Sequence, residues 1–229
     1  MNEKFNRVSR DPGFAELFAL SRRRHVARNE TLIEEGSRAS NLYLLVSGVM
    51  AVRYSGPRKA ELLLAYLYPG DFFGEMCLFP GIDSRSAMIN ASSDATVLEI
   101  DYTPFVDITR RFPSLWLELA GQLAERLRTT NHRLAAMPVL HVVDRIWLVL
   151  AEMARNAETD DALGDRMIRL SRKDLGKLAG CSRELAGMVL LDMAKAGRIR
   201  LQGHSIIVPS ATPDAATTDS SFVTSQGSQ

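Results

Sequence analysis

The chain has 229 residues, 46% hydrophobic and 24% charged, which fits a folded protein of one large or two modest domains. Lys and Arg (28) nearly cancel Asp and Glu (27), so a nucleic-acid function would have to come from local charge. Cys77 and Cys181 are the two cysteines; they exclude a disulfide framework, a four-cysteine zinc site and an all-cysteine iron–sulfur site. A reducing compartment suits them. The start MNEKFNRVSR is charged where a signal peptide needs an apolar run, and no stretch of roughly 18 apolar residues follows. The expectation is a cytoplasmic protein with no membrane partner.

The segment PGFAELFAL (12–20) predicts a short helix with Pro at its start. From Arg22 to Asp101 the chain breaks into short apolar or alternating runs: TLI (31–33), NLYLLVS (41–47), VMAVRY (49–54), ELLLAYL (61–67) and ATVLEID (95–101). Gly36, Gly48, Gly56, Gly70 and Gly81 punctuate them, which predicts an antiparallel barrel or roll. Phe112-Pro113 signals the start of a long helix. Along it Trp116, Ala120, Leu123, Leu127, Thr130, Leu134 and Met137 recur at alternating steps of four and three. That is a heptad seam, which fits either a buried core helix or a helix packed on a copy of itself, and favours the second. After Pro138, LHVVDRIWLVLAEMARNA reads as another helix. A polar acidic loop (ETDDALGD), two short helices and a hairpin (RIRL-QG-HSIIV) follow. The last stretch is rich in Ser, Thr and Ala and is expected to be disordered.

The two short helices carry a local charge signal. Residues 166–208 hold nine Lys/Arg against three Asp/Glu. Ser171 begins a capping-box-like helix start with Asp174 in the preferred Glu position. Gly180-Cys181 makes the break, Ser182 caps the second helix, and Gly197 ends it. This is a helix-turn-helix. A solvated basic face is one reading. The other is DNA: Arg183 can pair with guanine O6 and N7, and Glu184 can accept from cytosine N4. Arg172, Lys173 and Lys177 would hold phosphates and set register.

Two separated motifs then agree. Leu170-Ser171-Arg172-Lys173-Asp174-Leu175-Gly176 with Gly180-Cys181-Ser182-Arg183-Glu184 resembles the DNA-binding helices of the cyclic AMP receptor protein (CRP/FNR) family. Pro69-Gly70-Asp71-Phe72-Phe73-Gly74-Glu75-Met76-Cys77-Leu78-Phe79, followed by Arg85-Ser86-Ala87, resembles that family's phosphate-binding cassette. The resemblance covers roughly residues 14–209 and implies an α+β fold. It divides into an N-terminal cyclic-nucleotide-binding β-roll (12–112), a dimerisation helix (113–137), a winged helix-turn-helix (138–209) and a tail (210–229).

The cassette chemistry is simple. A cyclic phosphate needs a cation and the adjoining ribose 2′-hydroxyl needs an acceptor; Arg85 and Glu75 supply them. Gly74 permits close backbone approach, backbone N–H groups beyond it, Met76 included, can cradle the phosphate, and Ser86 adds a hydroxyl. The resemblance adds Thr130 and Asn131 as base contacts, with Asn131 standing where the family usually has Ser. Ser182 and Met188 complete the expected DNA-facing set, with Met188 in place of a common Arg. Pro138 and His141 mark the expected hinge, His141 replacing a common Asp that can cap the next helix. The implied function is a homodimeric transcription regulator gated by cyclic AMP. Cyclic di-GMP, cyclic GMP or no effector are the alternatives, and double-stranded DNA, a second copy and RNA polymerase are the implied partners. No metal or haem is expected: Cys77 has no neighbouring His, and His25, His132, His141 and His204 lack ligand spacing. No nucleophile–base pair or Walker loop suggests an enzyme.

Overall fold

The computed structural model describes residues 3–56, 61–159, 164–203 and 205–210. The chain divides into two units, Met1–Ala135 and Ala136–Gln229.

The first unit opens with helices α1 (Glu3–Ser9) and α2 (Phe14–Leu20). Eight strands follow: β1 (Arg22–Val26), β2 (Thr31–Ile33), β3 (Asn41–Ser47), β4 (Met50–Ser55), β5 (Glu61–Leu67), β6 (Phe72–Phe73), β7 (Met88–Ala91) and β8 (Ala95–Asp101). They make two antiparallel sheets, ordered β1-β8-β3-β6 and β2-β7-β4-β5. Helices α3 (Tyr102–Arg111) and α4 (Ser114–Ala136) complete the unit.

The strand period of two explains why β3 reads as an unbroken apolar run. Leu42 and Leu44 enter one core, with Phe72, Leu98, Phe105, Leu115 and Leu119. Tyr43 and Leu45 point the other way into a second core, with Phe73, Val97, Met50 and Ile89. Both faces are buried, so alternation vanishes from the sequence. Val8 of α1 joins the first core, ahead of the first element that the sequence predicts.

Among the elements the sequence does not mark are β1 and α3. β1 exposes four of its five residues and reads as a polar RRRHV segment. Helix α3 lies before the expected helix start: Phe112 is its C-cap, and Pro104 sits in its first turn, where a missing N–H costs nothing.

The second unit contains α5 (Val142–Asn156), β9 (Glu158–Thr159), β10 (Arg166–Arg169), α6 (Arg172–Ala179), α7 (Arg183–Lys195), β11 (Arg200–Gln202) and β12 (Ser205–Val208). Its sheet runs β11-β12-β10-β9, so the predicted hairpin acquires two further strands. Leu175, Leu178, Ala186, Val189, Leu190 and Met193 are buried, as the inner faces of the two short helices require. Asp165 anchors the sheet's end, accepting from Arg200 at 2.7 Å and from the Ser210 amide at 3.0 Å. The tail expected to be disordered lies outside the described residues beyond Ser210.

Candidate nucleotide pocket and DNA-binding helices

The cassette lies between β6 and β7. Gly74 has φ 75°, a left-handed conformation in which its carbonyl turns inward. That oxygen accepts from Arg85 Nη1 at 2.6 Å and from the Tyr102 hydroxyl at 2.6 Å. Arg85 Nη2 donates to the Asn41 backbone oxygen at 2.8 Å and its Oδ1 at 2.7 Å. The guanidinium also lies 5.8 Å from the Tyr43 ring centroid, and Tyr43 stacks on Phe73 at 5.2 Å. A Cβ on Gly74 would lie 2.5 Å from Arg85 Nη1, so a side chain there would push the guanidinium from its place. Burial pushes Tyr102 up to about 12, against the opposing charge of Arg85, so its hydroxyl stays a proton donor. Burial likewise raises Tyr43.

Glu75 and Arg85 are only 5% and 6% exposed, so both charges need partners. Glu75 meets Arg126 of α4, Oε1 to Nη1, at 3.5 Å. Arg126 also donates to the Phe72 carbonyl and lies 3.5 Å from Asp71. Gln122, one turn earlier, accepts from the Phe72 amide at 2.8 Å and donates to the Gly70 carbonyl at 2.8 Å. Seven residues beyond Arg126, Arg133 donates to the Leu64 carbonyl of β5 at 2.8 Å. Arg126, Thr130 and Arg133 are spaced i, i+4, i+7 and share one helix face. That face is therefore pinned to the roll on both sides of Thr130. Thr130 and Asn131 are exposed, as are Ser86 and Met76, while Gly74 is partly buried.

The heptad seam divides. Trp116 and Leu123 pack against the first core of their own chain, and the Trp116 ring meets Phe105 at 5.4 Å. Leu127 and Leu134 are 62% and 58% exposed. A straight helix drifts against a seven-residue repeat, so its early seam positions turn toward the roll. Of the large apolar seam positions, Trp116 and Leu123 are taken up by the chain's own core, while Leu127 and Leu134 stay exposed, as do the small seam residue Ala120 and the neighbouring Leu117.

In the second unit, Ser171 Oγ accepts from the Asp174 amide at 3.0 Å, and Asp174 accepts the Ser171 hydroxyl at 2.9 Å. Gly180, at φ 66°, ends α6. Ser182 Oγ accepts from the Leu185 amide at 3.1 Å and starts α7. Arg145 locks this turn to α5: its Nε donates to Ala179 O at 2.8 Å and its Nη1 to Leu140 O at 2.8 Å. Burial raises Cys181 despite nearby Arg145, so this thiol in the turn is a weak nucleophile. Arg172, Lys173, Ser182, Arg183, Glu184 and Met188 are exposed, and Lys177 is partly exposed. The Arg172 stem lies beside Gly187, where a Cβ would come within 3.3 Å of it.

The family model for a cyclic nucleotide-binding domain matches residues 23–112. The cAMP-activated global transcriptional regulator CRP of Pasteurella multocida is 35% identical over 178 residues, covering 78% of this chain and 85% of that protein. This chain belongs to the CRP/FNR family. It is a transcription regulator with a cyclic nucleotide-binding domain, and its relatives are not enzymes. The regulator Vfr of Pseudomonas aeruginosa is 29% identical over 196 residues, 84% of this chain and 92% of that one. Among solved structures, the c-di-GMP responsive global regulator CLP of Xanthomonas campestris superposes with a TM-score of 0.73 at 27% identity, covering 86% of this chain and 98% of that one. The catabolite activator protein of Thermus thermophilus gives 0.51 at 26% identity, over 89% and 94%.

Within this CRP/FNR chain, several contacts escaped sequence reading. Arg126, Gln122, Asn41 and Tyr102 all hold the cassette, from positions far away along the chain. His141 is the N-cap of α5, exposed, with no side-chain capping bond; Pro138 is exposed beside it. No helix among the described residues is long and apolar enough to cross a membrane. No group of three or more metal-ligating side chains occurs among them.

Proposed function

We propose that this CRP/FNR regulator works as a homodimer that binds double-stranded DNA through α6 and α7 and is gated by cyclic AMP. The observation that carries the reading is Arg85, a buried cation held on two sides by backbone oxygens, in a cassette whose other buried charge is the Glu75 carboxylate. Such a guanidinium suits a cyclic phosphate, and the Glu75 carboxylate suits a ribose 2′-hydroxyl. Thr130 and Asn131, on the helix face pinned by Arg126 and Arg133, are the base contacts. Leu127 and Leu134 are the apolar positions that a second copy covers. Arg183 and Glu184 read base edges, with Met188 beside them, while Arg172, Lys173 and Lys177 meet phosphates and Ser182 fixes the helix start. Bound nucleotide favours the DNA-competent state of the dimer. The relatives named as cAMP-activated support cyclic AMP.

A second effector, cyclic di-GMP, is favoured by one finding: the c-di-GMP responsive regulator CLP superposes over nearly its full length. RNA polymerase is the further partner that activation requires. Selection of bound sites from a random duplex pool, with no nucleotide and with cyclic AMP, cyclic GMP or cyclic di-GMP, tests this reading. The expected result is a pseudo-palindrome recovered with cyclic AMP. Recovery of a site only with cyclic di-GMP establishes the second effector, and recovery of no specific site overturns the DNA role.

A further inference from the structure

Helix α1 lies ahead of every element that the sequence predicts, and it sits on the supports of the cassette. Its backbone packs on the turn before β6 so closely that a Cβ at Gly70 would lie 2.5 Å from the Phe5 nitrogen. The Phe5 ring meets Phe14 edge-on at 6.0 Å. Lys4 pairs with Asp71 Oδ1. Asp71 is buried, and its Oδ2 accepts from the Tyr68 amide at 2.7 Å. Arg126 approaches the same Oδ1 at 3.5 Å and reaches Glu75 with its other terminal nitrogen, also at 3.5 Å. Charges therefore alternate along one row: Lys4, Asp71, Arg126, Glu75. Beside this row, Arg7 clasps Glu118 through Nε at 3.1 Å and Nη2 at 2.9 Å. Glu118 in turn accepts from Gln122 at 2.9 Å.

We infer that α1 is a positioning element for the nucleotide site, in which Lys4 sets the placement of the Glu75 carboxylate through Asp71 and Arg126. The inference rests on the reading of Glu75 and Arg85 as nucleotide contacts. Its physics is competition for one guanidinium. Buried Asp71 needs compensating positive charge, and Lys4 and Arg126 supply it. Arg126 stands equally far from Asp71 and Glu75. Without Lys4 the balance tips: Arg126 is drawn to Asp71 and its hold on Glu75 loosens. The carboxylate then loses its fixed aim at the ribose 2′-hydroxyl, while Arg85, held by Gly74 and Asn41, is untouched. Lys4 is thus a specificity-determining residue that acts through two others.

Calorimetric titration of the full chain with cyclic AMP and with 2′-deoxy cyclic AMP tests this. The analogue lacks the hydroxyl that Glu75 accepts. Lys4→Met and Lys4→Gln should weaken cyclic AMP by about three- to tenfold and leave the deoxy analogue unchanged, so discrimination between the two shrinks. Lys4→Arg should restore it. Unchanged affinities in both neutral variants overturn the inference, as does an equal loss for both nucleotides, which would mark α1 as mere scaffolding. Arg85→Ala separates the two levels. If the wild-type chain binds neither nucleotide, or Arg85→Ala binds as wild type does, the site reading fails and the inference falls with it. If Arg85→Ala loses binding while the Lys4 variants keep it, the inference alone fails.

Discussion

Arg85 and Tyr102 meet on one atom: each donates to the Gly74 carbonyl oxygen at 2.6 Å. Arg85 comes from the far end of the cassette and Tyr102 from the first residue of α3. The shared oxygen ties the cassette to the helix that follows the roll. Arg85 is thereby fixed in place, and on the proposed reading little ordering is left to oppose anion binding.

Tyr102→Phe removes one of these two donors and leaves Arg85 in place. It should cost about 1 kcal/mol of stability, the ordinary net worth of a hydrogen bond. The ionisation of Tyr102 gives a pH signature. Its raised folded-state value means that the neutral hydroxyl is the form the fold prefers. Stability from this group is complete below the unfolded tyrosine value of about 10 and is lost as pH rises through about 12. Denaturant melts from pH 9 to pH 12 should therefore show a steeper alkaline fall for the wild type than for Tyr102→Phe. Parallel falls would remove Tyr102 from this role.

The helix-turn-helix predicts a steric result. A Cβ at Gly176 would lie 2.7 Å from the Cys181 carbonyl oxygen and 3.2 Å from the Ser182 carbonyl carbon. These are backbone atoms of a turn that Ser182 and Gly180 already fix, so they cannot give way cheaply. Gly176→Ala should cost about 1–3 kcal/mol, as overpacking does, and should lower the melting temperature. Unchanged unfolding would contradict the close approach of α6 to the turn.

On the DNA side, Lys173 and Arg183 should behave differently. Arg183→Ala should relax preference at one G·C pair in each half-site by about 1–3 kcal/mol. Lys173→Ala should weaken all sequences alike and reduce the salt slope by about 1. Half-site centres about 34 Å apart are expected of a two-fold dimer on B-form DNA. Anisotropy titrations at several salt concentrations, with matched and single-pair-mismatched duplexes, distinguish the two roles.

His141 occupies the N-cap of α5 with φ −64° and ψ 154°, a backbone that an acidic cap also adopts. His141→Asp should therefore gain a side-chain bond to a first-turn amide, worth about 1 kcal/mol. It should also shift DNA affinity measured without nucleotide, while leaving the contacts in the first unit's nucleotide pocket unchanged. Equal ligand-free DNA affinities for the two proteins would take His141 out of the switch.

The parts legible in the sequence were those set by neighbours. Ser171, Gly180 and Ser182 cap or end helices within four residues of their partners, so local pattern suffices. Five runs marking β2, β3, β4, β5 and β8 were visible because turn glycines delimit them, although β4 begins at Met50, one residue later than the pattern indicates. The failures were long-range or masked by charge. Arg126 lies off the heptad seam of α4, and its partners Glu75 and Asp71 lie more than 50 residues away. No periodicity records such a pair. Strand β1 is chosen by its antiparallel register with β8, Arg22 opposite Glu99 through Val26 opposite Ala95, and not by its own composition.

The central claim is that Arg85 receives the phosphate of a cyclic nucleotide. Calorimetric titration of wild type and Arg85→Ala with cyclic AMP tests it most directly. Loss of the charge partner should cost more than about 2 kcal/mol, so affinity should fall at least about thirtyfold. Saturable binding by the wild type with that loss in Arg85→Ala is the predicted result; equal affinity in the two proteins would contradict it.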